Sequence, residues 1–322
     1  MKCSRCGLKA VIYLRYARLA LCHLHLEEYL AKRVVDAVKH GAPIGKDQLI
    51  VVAVSGGKDS AAAASLLSLV KDQLRFKLAS VHIDLGIPGY SEENRKTALL
   101  LAEKLSLPLA VLDLKEVLGF NVVEAARRAK RPICSVCGLL KRYLLNLSAS
   151  LTGATRLATG HNLDDLAAYA VKGFLTHEET PISKLIGHTG TVDGLIGRLR
   201  PLIEVGEYEA LVYALSSKLP FNHEECPYVN RRGLEFRAKE FLALLEEERP
   251  GFKLAFLRGL LKKKVEVKAE GELRKCSMCG MPTSSEVCAF CRLIYRVKGS
   301  YDTVEKVHKY VEEKTRELRS LI

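Results

Sequence analysis

Ten cysteines are the first residues in this sequence whose types and spacing imply chemistry. Cys3, Cys6, Cys22 and His25 form a CxxC pair, fifteen intervening residues and a CxxH pair. Cys276, Cys279, Cys288 and Cys291 form two CxxC pairs separated by eight residues. Each set offers four N/S ligands, the number a closed tetrahedral zinc site takes. A two-residue spacer lets one tight turn aim both thiolates at one ion. Gly7 and Gly280 directly follow the first pairs, where a knuckle takes unusual backbone angles. His25 is better spaced as a ligand than its neighbour His23. Two structural zinc sites are expected, one towards each end of the chain.

Cys134, Cys137 and Cys226 remain. A cubane 4Fe–4S cluster is normally held by four thiolates; with three, one iron stays open to an exogenous ligand such as sulfide. Inert buried cysteines, or a third zinc site completed by His223, are the other readings of these residues.

A second set of residues suits phosphate. The apolar, β-rich run Leu49 to Val54 reads as a buried central strand. It leads into Ser55-Gly56-Gly57-Lys58-Asp59-Ser60 and then the helix-forming stretch Ala61 to Leu67. A strand, a Gly-rich turn and a helix together point unpaired backbone N–H groups and a helix dipole at an anion. The two glycines let the backbone approach, and Ser55 and Ser60 add hydroxyls. This is not the GxxxxGK[ST] loop.

The elements that must position these residues follow a β–α alternation. Strands are expected over Leu78–Asp84, Leu109–Leu114 and Arg156–Thr159, with helices over Glu92–Leu105, Glu116–Lys130 and near Leu139–Ser150. The polar turn Gly160-His161-Asn162-Leu163-Asp164-Asp165 follows the last strand. Such repetition implies an α/β fold with a doubly wound parallel sheet, whose ligands sit at the carboxyl ends of the strands. Residues 180–200 read as a loop near the site. Glu207–Leu219, Leu234–Glu247, Phe252–Lys264 and Thr303–Leu318 read as helices, and Val265–Lys275 as a polar linker. The division expected is a zinc finger over 1–30, a catalytic domain over 31–264, and a second zinc finger with a helical tail over 265–322.

Composition narrows the setting. A charged fraction of 27% beside 48% hydrophobic residues is globular rather than disordered. No apolar run reaches the ~18 residues of a membrane span, and MKCSRCG lacks the apolar stretch of a secretory signal. A cytoplasmic protein without membrane contact is expected, in which cysteines serve as metal ligands or catalytic thiols more readily than as disulfides. Lys and Arg outnumber Asp and Glu by 50 to 37, a net +13. That excess suits either a polyanionic partner such as nucleic acid or an ion-paired surface of a thermostable protein. Residues 124–142 hold six Lys or Arg against one Glu, and Arg231, Arg232 and Lys262-Lys263-Lys264 form a second basic group.

The loop SGGKDS resembles that of the PP-loop ATP pyrophosphatases, the adenine nucleotide alpha hydrolase-like fold. Three further motifs narrow the likeness: Cys134-Ser-Val-Cys137-Gly138-Leu-Leu-Lys141-Arg142-Tyr143, Gly160 to Asp165, and Glu225-Cys226-Pro227-Tyr228. Together with both terminal tetrads they resemble the tRNA 2-thiouridine synthetases of the TtuA type and their wobble-uridine relatives, over essentially the whole chain. Leu166-Ala167 departs from the family, which commonly has an acidic residue there. The resemblance implies an ATP-dependent transferase that adenylates a uridine C2 oxygen, then installs sulfur and releases AMP and pyrophosphate. It implies a 4Fe–4S cluster on Cys134, Cys137 and Cys226, and sulfur brought by a ubiquitin-like carrier with a C-terminal thiocarboxylate. A homodimer is common for such proteins. The motif set favours the T-loop uridine 54 over the wobble uridine 34. A non-catalytic zinc protein that binds RNA is the reading from another class.

On this reading the ATP site comprises Ala53, Val54, Ser55, Gly56, Gly57, Asp59, Ser60, Ile83, Lys141, Gly160 and Asp165, with Mg2+. The catalytic set is Cys134, Cys137, Cys226, Lys141 and Asp165. Lys141, one helical turn after Cys137, would offset charge on phosphate or sulfide. Asp165 would orient magnesium or act on the uridine N3 proton, with Asp164 as its competitor and helix capping as the structural alternative for both.

Overall fold

The computed structural model describes residues 1–41, 44–177, 188–191, 194–262 and 273–320. It begins with a hairpin in which β1 (Ile12–Leu14) and β2 (Leu19–Leu21) pair antiparallel. Cys22 leads straight into α1 (His23–Gly41), whose Leu26, Leu30 and Val34 are fully buried. The first cysteine set and the central domain therefore share one helix.

The central sheet follows: β3 (Leu49–Ala53), β4 (Lys77–Asp84), β5 (Leu109–Asp113), β6 (Arg156–Ala158) and β7 (Gly197–Leu199). All are parallel, in the order β5-β4-β3-β6-β7. The chain works outward from β3 to β5 and then restarts on the other side at β6. The order reverses between β3 and β6, which opens a crevice at their carboxyl ends.

Alternation along each strand feeds two cores. Ile50, Val52, Leu78, Ala158 and Leu199 face one layer, made of α1, α2 (Lys58–Leu74), α3 (Tyr90–Lys104) and residues 207–216. Leu49, Val51, Ala79, Val81, Leu112 and Leu157 face the other layer. That layer contains α4 (Leu114–Leu118), α5 (Val122–Ala129) and α6 (Ile133–Leu151). Ala61 to Ala64 are buried to within 1%, and their lack of bulk lets α2 lie close on the sheet.

Three expectations change here. The helix expected over Glu116–Lys130 is two helices, because Gly119 adopts φ +72 as a left-handed cap and Asn121 opens α5 with a capping box to Glu124. The helix expected near Leu139 starts at Ile133 behind Pro132, which puts Cys134 and Cys137 in its first turns. The expected loop over 180–200 contains β7; residues 180–187 and 192–193, and 265–272 of the expected linker, lie outside the described residues.

The remaining elements are α7 (Leu163–Leu175), α8 (Glu207–Ser216), α9 (Leu234–Glu248), α10 (Phe252–Lys262), the hairpin β8 (Arg274–Lys275) with β9 (Pro282–Thr283), α11 (Ala289–Lys298) and α12 (Asp302–Arg319). The last two close over α5 and α6. Phe290 stacks on Tyr143 with ring centroids 3.6 Å apart, and the Tyr143 hydroxyl meets His308 Nε2 at 2.8 Å. The second cysteine set thus belongs to the same core as the sheet.

Replacing Phe290, 1% exposed, with Ala is expected to cost about 3–5 kcal/mol of stability. Urea unfolding checks it; a loss under about 1 kcal/mol would mean that the module packs independently of α6.

Candidate active site and metal centres

Both terminal tetrads close. In the first, His25 Nδ1 lies 3.4 Å from Cys3 Sγ and 3.3 Å from Cys22 Sγ, and Cys6 and Cys22 sulfurs are 3.7 Å apart. In the second, Cys276 and Cys291 sulfurs are 3.9 Å apart and those of Cys279 and Cys288 3.8 Å. Within each set all four ligand atoms fall within 4.8 Å of one another, which fits a single tetrahedral ion. His23 begins α1 and takes no part. His25 Nε2 faces Glu28 at 4.0 Å, the outer carboxylate that commonly orients a ligating imidazole.

The phosphate loop is built from its own hydroxyls. Ser60 Oγ accepts from Ser55 N and Ser55 Oγ, both at 3.0 Å, and donates to Gly57 O at 2.9 Å. Gly57 caps α2 without a side-chain bond, so the first-turn N–H groups have no side-chain acceptor. Gly56 holds φ +91, and a Cβ there would lie 2.7 Å from Asn94 Cα, so only glycine fits. Its carbonyl accepts from Asn222 N at 2.8 Å, and Asn222 Nδ2 donates to Asn94 Oδ1 at 3.1 Å. The segment that leads to Cys226 is therefore pinned to the loop.

From the other side of the crevice Gly160 rests on the loop: a Cβ there would lie 2.8 Å from Ser60 N. Asn162 caps α7, bonding Asp165 N at 3.0 Å while Asp165 returns a bond to Asn162 N at 3.2 Å. Asn162 Nδ2 also donates to Asp59 Oδ1 at 3.1 Å. Asp59 pairs with Lys58 at 2.8 Å, Lys58 with Glu207 at 2.9 Å, Glu207 with Lys239 at 3.4 Å, and Lys239 with Asp165. These six residues form a closed polar ring. Burial pushes the Asp59 carboxyl up, against the pull of Lys58. Burial would lower Lys239, but Asp165 and Glu207 outweigh it and hold the ammonium charged. Glu207 and Lys239 went unmarked in the sequence, since nothing local ties α8 and α9 to residue 165. Asp164 points elsewhere: it accepts from Glu207 N at 2.7 Å, pairs with Lys253, and lines a separate cavity of about 350 Å³ with Tyr16, Arg33 and Glu209. Of the two aspartates, Asp165 is the one on the loop.

A cavity of about 140 Å³ at the ends of β3 and β4 is lined by Ala53, Val54, Ser55, His82, Ile83, Tyr90, Asn94, Lys141 and Leu145. Ala53, Ile83 and Lys141, far apart in sequence, meet there. Lys141 also reaches Cys137, whose thiol is pushed up by burial and by the neighbouring Cys226 and Cys134, and pulled down by that ammonium. Cys134 Sγ lies 3.4 Å from Tyr228 O, which ties the Cys226 segment to α6. Among the described residues, these three thiols and His223 do not gather within the reach of a single ion; His223 instead packs on Phe221 with ring centroids 4.4 Å apart. A third zinc site on these residues finds no support among the described residues.

Comparison with known proteins agrees. A sequence profile of the PP-loop domain matches residues 26–231, and one of the N-terminal LIM domain of the 2-thiouridine synthetase TtuA matches residues 2–27. The tRNA-5-methyluridine(54) 2-sulfurtransferase of Pyrococcus horikoshii is 39% identical, covering 91% of this chain and 93% of its own. Its counterpart in Thermus thermophilus is 40% identical, covering 92% of each. Among solved structures, the U34-tRNA thiolase NcsA from Methanococcus maripaludis with its [4Fe-4S] cluster superposes with a TM-score of 0.75 at 26% identity, covering 91% of this chain and 95% of that one.

Gly160→Ala would force the two loops apart by pressing Cβ on the Ser60 backbone. Its kcat/KM for ATP is expected to fall about 100-fold, the effect of an ångström-scale displacement. Steady-state kinetics check it; an unchanged value would show that the contact does not set the phosphate site.

Proposed function

This chain belongs to the PP-loop family of 2-thiouridine synthetases, and we propose that it replaces the C2 oxygen of uridine 54 in tRNA with sulfur, using ATP. The observation that carries this is Lys141, which lines the cavity at the phosphate loop and lies near enough to Cys137 for its charge to act on that thiol. One side chain therefore spans the two half-reactions. The curated relatives named above act on 5-methyluridine 54 and match nearly their full length, which favours that target over the U34 of the structural neighbour.

The uridine carbonyl is a poor electrophile with no leaving group. Attack of its C2 oxygen on the α-phosphorus of ATP forms an O-adenylyl uridine and expels pyrophosphate. Ser55, Gly56, Gly57 and Ser60 hold the departing phosphates through N–H and O–H donors at the α2 N-terminus. Asp59 and Asp165, on the loop side of the ring, are the carboxylates placed for the magnesium that accompanies ATP. Ala53, Val54 and Ile83 bound the adenosine, and Gly160 keeps the loop in place. Lys141 neutralises charge at the α-phosphate. A sulfur nucleophile then attacks C2, AMP departs, and Asp165 serves the N3 proton.

Cys134 and Cys137 in the first turns of α6, and Cys226 on the segment that Tyr228 O ties to Cys134, are the thiols that would hold a 4Fe–4S cluster. When bound, such a cluster supplies an iron without a protein ligand at which an exogenous sulfur is presented. The sulfur source in this proposal is a ubiquitin-like carrier with a C-terminal thiocarboxylate, and the working unit is a homodimer in the cytoplasm; these rest on the family resemblance. Residues 31–264 do the chemistry, and the zinc modules at 1–30 and 265–322 hold structure. Among the described residues no helix is long and apolar enough to cross a membrane.

Anaerobically reconstituted Cys137→Ala and Cys226→Ala are each expected to lose the broad visible absorbance of a cluster and at least about 100-fold in tRNA thiolation, while keeping about two zinc ions per chain. Full thiolation by either variant would remove the triad from the reaction.

A further inference from the structure

On α6 and β7 lies a group of arginines outside the phosphate loop and its polar ring. Arg198 sits in the middle of β7. Its neighbour Ile196 packs in the α6 layer and Leu199 in the α2 layer, so alternation sends Arg198 to the α6 side. There it lies close enough to Arg142, on α6, and to Arg200 for both to repel it. Burial and that repulsion push its pKa down to about 10. Arg142 is exposed and folds back along its own helix. Its Nη1 lies 3.0 Å from where a Cβ on Gly138 would stand, so the absence of a side chain next to Cys137 is what lets the guanidinium lie there.

The contrast with the polar ring is chemical. Lys58, Lys239 and Lys253 each pair with a carboxylate. Among the described residues, no carboxylate forms an ion pair with Arg142 or Arg198. Like charges held together, one of them half-buried, disfavour the empty site and favour an anion. The planar fork of a guanidinium matches phosphate, which it can hold through two bonds. The nucleotide's own phosphates already have the loop after β3. Arg198 instead sits on the edge strand beyond β6, and His161 of the Gly160–Asp165 turn feels both Arg198 and Arg200. Arg142 opens the group to solvent, where a polymer can enter.

We propose that Arg142 and Arg198 clamp a backbone phosphate of the RNA substrate beside the target uridine, and so fix that nucleotide's position relative to Cys137 and Lys141. The inference rests on the tRNA thiolation reading and adds positioning residues to it.

The test is a salt titration of tRNA binding by fluorescence anisotropy, for full-length wild type, Arg142→Gln, Arg198→Gln and Arg198→Lys. Each Gln variant is expected to bind tRNA about tenfold more weakly and to lower the slope of log Kd against log salt by about 1. Arg198→Lys is expected to keep the slope and recover only part of the affinity, since an ammonium keeps the charge without the fork. The KM for ATP is expected to stay within about twofold of wild type in all three. Unchanged tRNA affinity and slope in both Gln variants would overturn the proposal. A defect confined to ATP would overturn it too, by assigning the arginines to the nucleotide's phosphates. Should Arg198→Gln fail to fold, exposed Arg142 decides the matter alone. A wild type that binds tRNA but forms neither AMP nor 2-thiouridine would sink the functional reading and leave this binding comparison intact.

Discussion

The rotational setting of α6 about its own axis is the constraint on which the rest of this molecule depends. Within three turns the helix presents Cys134 and Cys137 to the Cys226 segment, Lys141 to the cavity at the ends of β3 and β4, Arg142 to β7, and Tyr143 to Phe290. Successive residues on a helix point about 100° apart, so a slip of one position would exchange all of these. Val136, Leu140, Leu144 and Leu147, each no more than 2% exposed, prevent it. Each contributes roughly 1.5–3 kcal/mol through burial, and together they outweigh the cost of holding Lys141 and the Cys137 thiol half-buried beside them. Pro132 fixes where the helix starts, and hence which residues fall in its first turn.

The second constraint is the crevice at which the sheet changes direction. Two glycines allow it to close: Gly56 under Asn94 and Gly160 on Ser60. The ring of Asp59, Lys58, Glu207, Lys239, Asp165 and Asn162 then ties together loops and helices whose paired residues lie up to 149 apart in sequence. Three carboxylates against two ammoniums leave the ring with a net −1, which suits a partner cation at the phosphates. The zinc modules belong to the same logic. His25 sits on the helix that packs under α2, and Phe290 directly precedes Cys291, so each metal site anchors a core element rather than a free appendage.

Much of this was legible in the residues. Both tetrads declare themselves because metal ligation dictates short spacers, and SGGKDS because a phosphate loop needs glycine and hydroxyls after a buried strand. The β–α alternation and the Gly160–Asp165 turn followed from periodicity. What stayed hidden has physical reasons. The partners of Asp165 and Lys58 lie on α8 and α9, and ion pairs across such distances leave no local pattern. β7 is three residues long at the sheet edge, too short to show an alternation, which hid Arg198. The break between α4 and α5 hangs on the backbone angle of Gly119 alone, and the start of α6 on Pro132. The different surroundings of Asp164 and Asp165 were equally hidden, because only packing shows that Asp164 faces Lys253 and the α8 N-terminus.

Every part of this account converges on one product at one position. The most direct measurement is nucleoside mass spectrometry, with positional mapping, of tRNA incubated anaerobically with the cluster-loaded protein, ATP and sulfide. The account predicts 2-thiouridine or its 5-methyl form at position 54, with AMP formed for each sulfur installed. Sulfur at position 34 instead, or thiolation that proceeds without AMP release, would contradict it.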